Sequence, residues 1–387
     1  MPILNRVAEM QDEVAGWRRQ IHQQPELNFD VFKTAAFVAG KLKEFGVDEI
    51  VTGLGRTGVV GLIKGRKGDG PTIGMRADMD ALPLEEITGK PYRSQTPGIM
   101  HACGHDGHTA MLLGAAKYLA ETRNFAGSVA VIFQPAEEGG GGGLEMVKDG
   151  MMERFNIGRV FGMHNMPSLP VGAFAIRPGP IMAATAEFTI TIKGRGGHAA
   201  MPHVTIDPIV VGSQLVTAFQ SIVSRSADPV EALVVSVTKF HAGDAYNIIS
   251  ETAEIAGTVR TLNKSLAALA EKRIREICAG LAAASGATIE VDYDANYPVT
   301  VNDPGQTDFA GDVAAAIAGE AGVVRSVPPL MAGEDFTYML EARPGAFIFI
   351  GNGNSAMLHH PAYDFNDEAI PHGVSYWVRL AETALAS

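Results

Sequence analysis

Apolar residues open the chain at helical spacing. Leu4, Val7, Met10, Val14, Trp17 and Ile21 share one face, so residues 1–25 read as amphipathic helix. Similar patterns cover 34–45 and 109–119. Between and beyond them lie four short runs that are apolar at nearly every position: 72–77, 128–133, 159–163 and 346–350. Such runs have no wet face, which predicts strands buried on both sides. Alternating with helices, they predict an α/β sheet covered by helices on both faces. Each run stops at a chemically loaded residue: Asp78 and Asp80, then Glu137 and Glu138, then His164, then, through a Gly/Asn loop, His359. In open α/β sheets ligands gather beyond the carboxyl ends of the strands. All four ends therefore point to one shared site.

The middle of the chain has a different rhythm. Residues 187–192 alternate in strand fashion, a helical stretch covers 209–224, strands follow at 232–238 and 253–261, a second helix at 265–284 and a strand at 288–293. This β-α-β-β-α-β order predicts a smaller α+β unit of split-βαβ type, inserted at 184–295. Residues 1–183 and 296–387 then form the larger domain, which carries every loaded strand end.

Composition narrows the function. The 387 residues are 46% hydrophobic and 19% charged, as in a packed globular enzyme, and the net charge of -12 argues against a nucleic-acid partner. Two cysteines are too few for a disulfide framework. Cys278 lies in a helical run and reads as a buried, inert thiol. No apolar core of a signal peptide and no membrane-spanning run is present, which fits a reducing cytoplasm.

The candidate chemistry centres on His101-Ala102-Cys103-Gly104-His105-Asp106-Gly107-His108. Three histidines, a carboxylate and a cysteine in eight residues read as half of a transition-metal site. Cys103 and His105 would diverge on a helix, so this piece is expected to be looped, with the helix starting near His108. A thiolate can bridge two cations about 3.5–4 Å apart through bonds near ~2.3 Å. Glu137-Glu138 is the second piece. In extended backbone its side chains face opposite ways, so one carboxylate would bind metal while the other faces the water. For a random Glu-Glu pair a solvated acidic turn is the commoner meaning, but this pair directly follows a buried strand. His164 and His359 complete a credible set, with His360 the rival of His359. Asp80 is expected to fix the tautomer of a ligand histidine, and His101 and His108 rank lower.

Several ordered motifs now meet: Pro25-Glu26-Leu27, residues 76–83, the 101–108 cluster, residues 133–139, Gly162-Met163-His164, Gly196-Gly197-His198, Gly333-Glu334-Asp335-Phe336 and Leu358-His359-His360-Pro361. Together they make the chain resemble the dinuclear-metal aminoacylase/carboxypeptidase family, on the branch of hippurate hydrolases, N-acetyl-amino-acid deacetylases and hydrolases of indole-acetyl amino acids. The resemblance implies two divalent ions per subunit (Zn, Mn, Ni or Co), with Cys103 as the bridge, Glu138 and His359 on one ion and His105 and His164 on the other. It implies Glu137 as general base and acid, His198 as a catalytic histidine lent to the partner subunit, and Asn247 and Arg260 as ligands of the substrate carboxylate. Glu334 joins the substrate residues, and Asp80 the catalytic ones. It further implies that the small domain dimerises, making a homodimer or a tetramer. Ile248-Ile249-Ser250 replaces the family's usual Val-Ile-Pro, Asp30 its Glu, and Ala332 its Ser.

The expected reaction is hydrolysis of N-acyl-L-amino acids by a metal-activated water. Alternatives are a dipeptidase or carboxypeptidase of the same family, and a cysteine hydrolase using Cys103, which would leave Glu137, Glu138 and His359 without a role. A non-catalytic binding protein with a vestigial site is opposed by the intact candidate base. Gly53-Leu54-Gly55-Arg56-Thr57-Gly58 matches a dinucleotide fingerprint by letter, but a strand-like run follows it, so it reads as a turn.

Overall fold

The structure, a computed structural model, describes residues 3–386; Met1 and Pro2 of the N-terminal amphipathic stretch and Ser387 of the larger domain lie outside the described residues. The chain divides into two compact units. One comprises Met1–Ile181, Val301–Pro328 and Asp335–Ser387, the other Met182–Thr300 and Pro329–Glu334. The smaller unit thus runs past 184–295 at both ends and takes in a short later segment.

The larger unit is built on one mixed sheet. Its first strands are β1 (Glu49–Leu54), β2 (Gly58–Lys64), β3 (Thr72–Asp78), β4 (Ser128–Gln134), β5 (Ile157–Pro167) and β6 (Phe174–Ala175). The sheet order is β1-β2-β4-β3-β5, then Gly345–Gly353, β6 and Val323–Val324. β1 and β2 form an antiparallel hairpin, so the Gly53 to Gly58 motif is two strand ends joined by a turn at 55–57. β4, β3, β5 and Gly345–Gly353 are mutually parallel. Every residue of β3 is buried, so the sheet has no wet face at its centre.

Parallel neighbours need crossovers, and the one from β3 to β4 carries the helix His105–Thr122. This helix packs against Gln11–Gln23 and Ile370–Ala384. The approach is close at Gly114, where a Cβ would lie 2.9 Å from Val374 Cγ2 and 3.2 Å from Val14 Cγ2. The four parallel strands end on the same side. β5 continues beyond His164 to Pro167, so His164 sits within the strand rather than at its end.

The smaller unit has the expected order of elements. Its antiparallel sheet runs Leu233–Ala242, Thr252–Thr261, Ala184–Lys193, Thr288–Tyr297. Helices Pro208–Ser221 and Lys264–Ser285 bury Leu215, Phe219, Ile274 and Cys278 together with Phe188, Ile190 and Ile255. Cys278 is core, as its helical run predicts.

Candidate metal centre

Cys103 and His105 owe their placement to Gly104, which caps the His105–Thr122 helix at φ 90°. The helix begins at His105, three residues before His108, because this left-handed cap lets the chain turn sharply from loop into helix. His105 and His108 consequently share the first turn, with ring centroids 5.6 Å apart. The His105 Nδ1–H donates to the main-chain oxygen of Asp80 at 2.8 Å. That bond commits Nδ1 and leaves Nε2 as the nitrogen a metal ion would take on displacing its proton; Nε2 is buried with no hydrogen-bond partner.

The expected contact of Asp80 with a ligand histidine is made through its backbone. Its carbonyl, not its carboxylate, sets the His105 tautomer. The carboxylate instead accepts the backbone N–H of Glu137 at 3.0 Å and of Glu138 at 3.1 Å. The opposed-faces expectation for those two glutamates also fails. They lie in a turn after β4, introduced by Ala136 at φ 53°, and both carboxylates converge on His105 Nε2, at 4.0 and 3.8 Å. With Asp80 gripping both amides, the alternation of an extended strand does not apply.

His164 Nε2 lies 3.3 Å from Cys103 Sγ, and its Nδ1–H donates to the Asn165 carbonyl at 2.7 Å. His359 Nε2 lies 3.4 Å from Glu138 Oε2. Its backbone N–H donates to Ala102 O at 2.8 Å, and its φ of 63° marks local strain of the kind found at functional sites. His360 turns away, accepting the Ala362 N–H at Nδ1. Two triads result, Cys103/His105/His164 and Cys103/Glu138/His359, each with its donor atoms within 4.8 Å of one another. Cys103 is common to both.

The electrostatics favour cations. Burial, then Glu138, Glu137 and Asp78, push the Cys103 thiol well above its usual range. Burial would lower His105, but Asp78, Asp80 and Glu138 outweigh it and lift it to about 10. Burial, reinforced by His108, holds His164 well below its ordinary value and therefore neutral. A site that disfavours a thiolate and retains a proton on His105 has a surplus of negative charge, which divalent ions would relieve. Together with the unpartnered His105 Nε2 and Glu138 Oε1, this donor set fits two metal ions.

Some participants are legible in sequence only as part of a strand end or a motif, with no role of their own. Asp78 Oδ1 accepts the His108 Nδ1–H at 2.7 Å and Asp78 Oδ2 accepts Arg76 Nη1 at 2.7 Å. Asp335 accepts from Arg76, Gln134 and the Gly143 N–H, tying the 133–143 segment to the later Asp335. Asn165 and Tyr363 had no motif of their own. His101 is buried, and burial pushes it down to about 3.

The remaining predicted residues belong to the smaller unit. His198 pairs with Ile248 in a two-residue ladder, and the Ala199 N–H donates to Asn247 O at 3.0 Å, so His198 and Asn247 are brought together on an exposed loop. Arg260 is not brought to them. It pairs with Thr185 near the far end of Thr252–Thr261, roughly 25 Å away at about 3.3 Å per strand residue. Its Nη1 donates to Val259 O at 2.9 Å. Glu334 is buried, and its carbonyl accepts Thr300 Oγ1 at 3.3 Å.

Comparison with known proteins agrees with this picture. A family model described as peptidase family M20/M25/M40 matches residues 74–383. Hippurate hydrolase of Campylobacter jejuni is 45% identical over 381 residues, covering 98% of this chain and 99% of that protein. N-acetyl-L-cysteine deacetylase of Bacillus subtilis is 41% identical, covering 94% of this chain and 86% of that protein. The crystal structure of the Bacillus subtilis YXEP protein, described as a dinuclear metal binding peptidase from the M20 family, superposes with a TM-score of 0.84 at 35% identity, covering 98% and 99% of the two chains. This chain belongs to peptidase family M20/M25/M40 and is an amide-bond hydrolase whose clustered thiol, imidazole and carboxylate donors suit a metal-dependent reaction.

Proposed function

We propose that the protein hydrolyses N-acyl-L-amino acids to a carboxylate and a free amino acid, using two divalent ions held by Cys103, Glu138 and His359 and by Cys103, His105 and His164. The observation that carries this reading is the position of Cys103 in two donor triads at once. When bound, the ions would polarise the amide carbonyl and lower the pKa of water toward about 7. Glu137, beside His105 and held through its backbone by Asp80, takes a proton from the attacking water and returns it to the leaving nitrogen. His105 and His164 keep their Nε2 atoms toward the centre because each Nδ1–H is spent on a backbone carbonyl. Imidazole and thiolate donors favour Zn, Ni or Co, with Mn the harder choice.

His198, with Asn247 beside it, is assigned to a composite site completed across a homodimer, in which it donates to the oxyanion. Arg260 and Asn247 stand far apart within one chain, which suits contributions from two chains. Glu334 is assigned to substrate binding. The smaller unit supports self-association: Leu233–Ala242 is an edge strand of its sheet, and Val234, Phe240, Ile209 and Val210 are exposed apolar residues there and on the helix Pro208–Ser221. No described helix is long and apolar enough to cross a membrane. We place the reaction in the cytoplasm, where reducing conditions keep Cys103 available.

A panel of benzoyl-, acetyl- and indole-acetyl-amino acids and dipeptides, assayed before and after chelation, tests the reading. Turnover of acyl-amino acids should vanish with chelator and return with added divalent ion. Activity that survives complete metal removal would instead point to Cys103 as nucleophile. Activity confined to dipeptides would point to a peptidase.

A further inference from the structure

We propose that Asn165 and Tyr363 form a positioning clamp that sets the Cys103 sulfur where two metal ions can share it; this rests on the reading of Cys103 as a bridging ligand. Both side chains are fully buried. The Tyr363 hydroxyl donates to Asn165 Oδ1 at 2.7 Å. That bond fixes the amide, so Asn165 Nδ2 faces Cys103 O at 2.6 Å and His108 Nε2 at 3.0 Å. The Asn165 backbone N–H also donates to His108 Nε2, at 2.9 Å. His108 Nε2 is thus an acceptor, and its Nδ1–H is committed to Asp78.

Three ligand-bearing segments meet at this pair. Asn165 holds the carbonyl of Cys103 with its side chain and the ring of His164 with its own carbonyl. The Tyr363 backbone N–H donates to His360 O at 2.9 Å, within the loop that presents His359. The clamp also explains Gly104. A Cβ there would lie 2.3 Å from Asn165 Nδ2 and 2.6 Å from Tyr363 Oη, at a φ of 90° that side chains rarely adopt. Neither residue touches the reacting atoms, so both act by positioning. The demand on position would be strict, because a sulfur shared by two ions must lie within bonding reach of both. Asn supplies one donor face and one acceptor face; Asp would set an acceptor against Cys103 O and His108 Nε2.

Full-length protein loaded with Co(II) tests this, since sulfur-to-cobalt charge-transfer absorbance reports the Cys103–metal bond. Tyr363→Phe removes one oxygen atom, and Asn165→Asp changes one donor to an acceptor. In both, cobalt affinity should fall about 10–100-fold, and the charge-transfer absorbance per bound cobalt should drop. A merely structural role would lower the melting temperature and leave the absorbance per bound cobalt unchanged. If Asn165→Asp fails to fold, Tyr363→Phe decides. A folded variant that binds two cobalt ions with wild-type affinity and an unaltered band overturns the clamp. An active wild type with no sulfur–cobalt band would remove the bridging role itself, and the clamp with it.

Discussion

Glu137 and Glu138 are chemically identical neighbours, and their surroundings divide the work between them. Glu138 faces His359 and Cys103; burial would raise its pKa, but His359 and His105 outweigh burial and keep it ionised, as a ligand should be. Glu137 shares the approach to His105 but belongs to neither Cys103 triad. Glu137→Gln should therefore retain two metals by elemental analysis while turnover falls by about 10²–10⁴-fold. A mutant with full activity removes Glu137 from the mechanism. At this scale the sequence was readable wherever donor type and spacing combine, as in Cys103-Gly104-His105. It was unreadable where a role is set by a hydrogen bond to a distant carbonyl. That Asp80 serves His105 through its backbone, and two glutamates through its carboxylate, depends on a turn at Ala136 that no local pattern announces.

Between elements, the helices Gln11–Gln23 and His105–Thr122 are joined by a buried ionic network. His22 Nδ1 lies 2.8 Å from Asp106 and its Nε2 3.2 Å from Glu86, with Arg18 beside Asp106 and Asp367, and Tyr92 edge-on to the ring. Burial opposes a charge on His22, but Asp106 and Glu86 outweigh burial and Arg18, raising it to about 9. Unfolded imidazole releases its proton near about 6.5. Between those values the native state holds the extra proton, so this contribution to stability is complete below the lower value and is lost as pH rises through the higher one. Denaturant melts should show the advantage of wild type over His22→Gln shrinking from pH 6.5 to 9, by on the order of 3 kcal/mol. A constant difference across that range would mean that His22 is not protonated in the fold. The helices themselves were legible from periodicity. Their ionic joint was not, because Arg18 and His22 look like ordinary polar-face residues until Asp106 and Asp367 are placed against them.

At the level of the whole molecule, the residues proposed for metal and those proposed for substrate fall in different compact units. The proposed metal donors lie in the larger one, and His198, Asn247, Arg260 and Glu334 in the smaller. Subunit mixing separates a shared site from an independent one. His198→Ala and Glu137→Gln homodimers should each be nearly inactive, and exchanged heterodimers should recover one working site per dimer. Proven exchange without recovery would place His198 outside its partner's chemistry.

The sequence by itself determined the element types, the two alternating rhythms that separate the units, and the donor inventory. Those depend on side-chain periodicity and ligand chemistry, which are local. Only the tertiary structure decided which nitrogen of each histidine is free, which carboxylates share His105, and how Asn165 and Tyr363 grip the Cys103 loop. Apart from the His164 Nδ1 bond to the next residue, these depend on segments that meet in space from well apart in the chain, Asp80 and His105 across 25 residues, Cys103 and Asn165 across 62, Asn165 and Tyr363 across 198, and such meetings leave no period in the sequence.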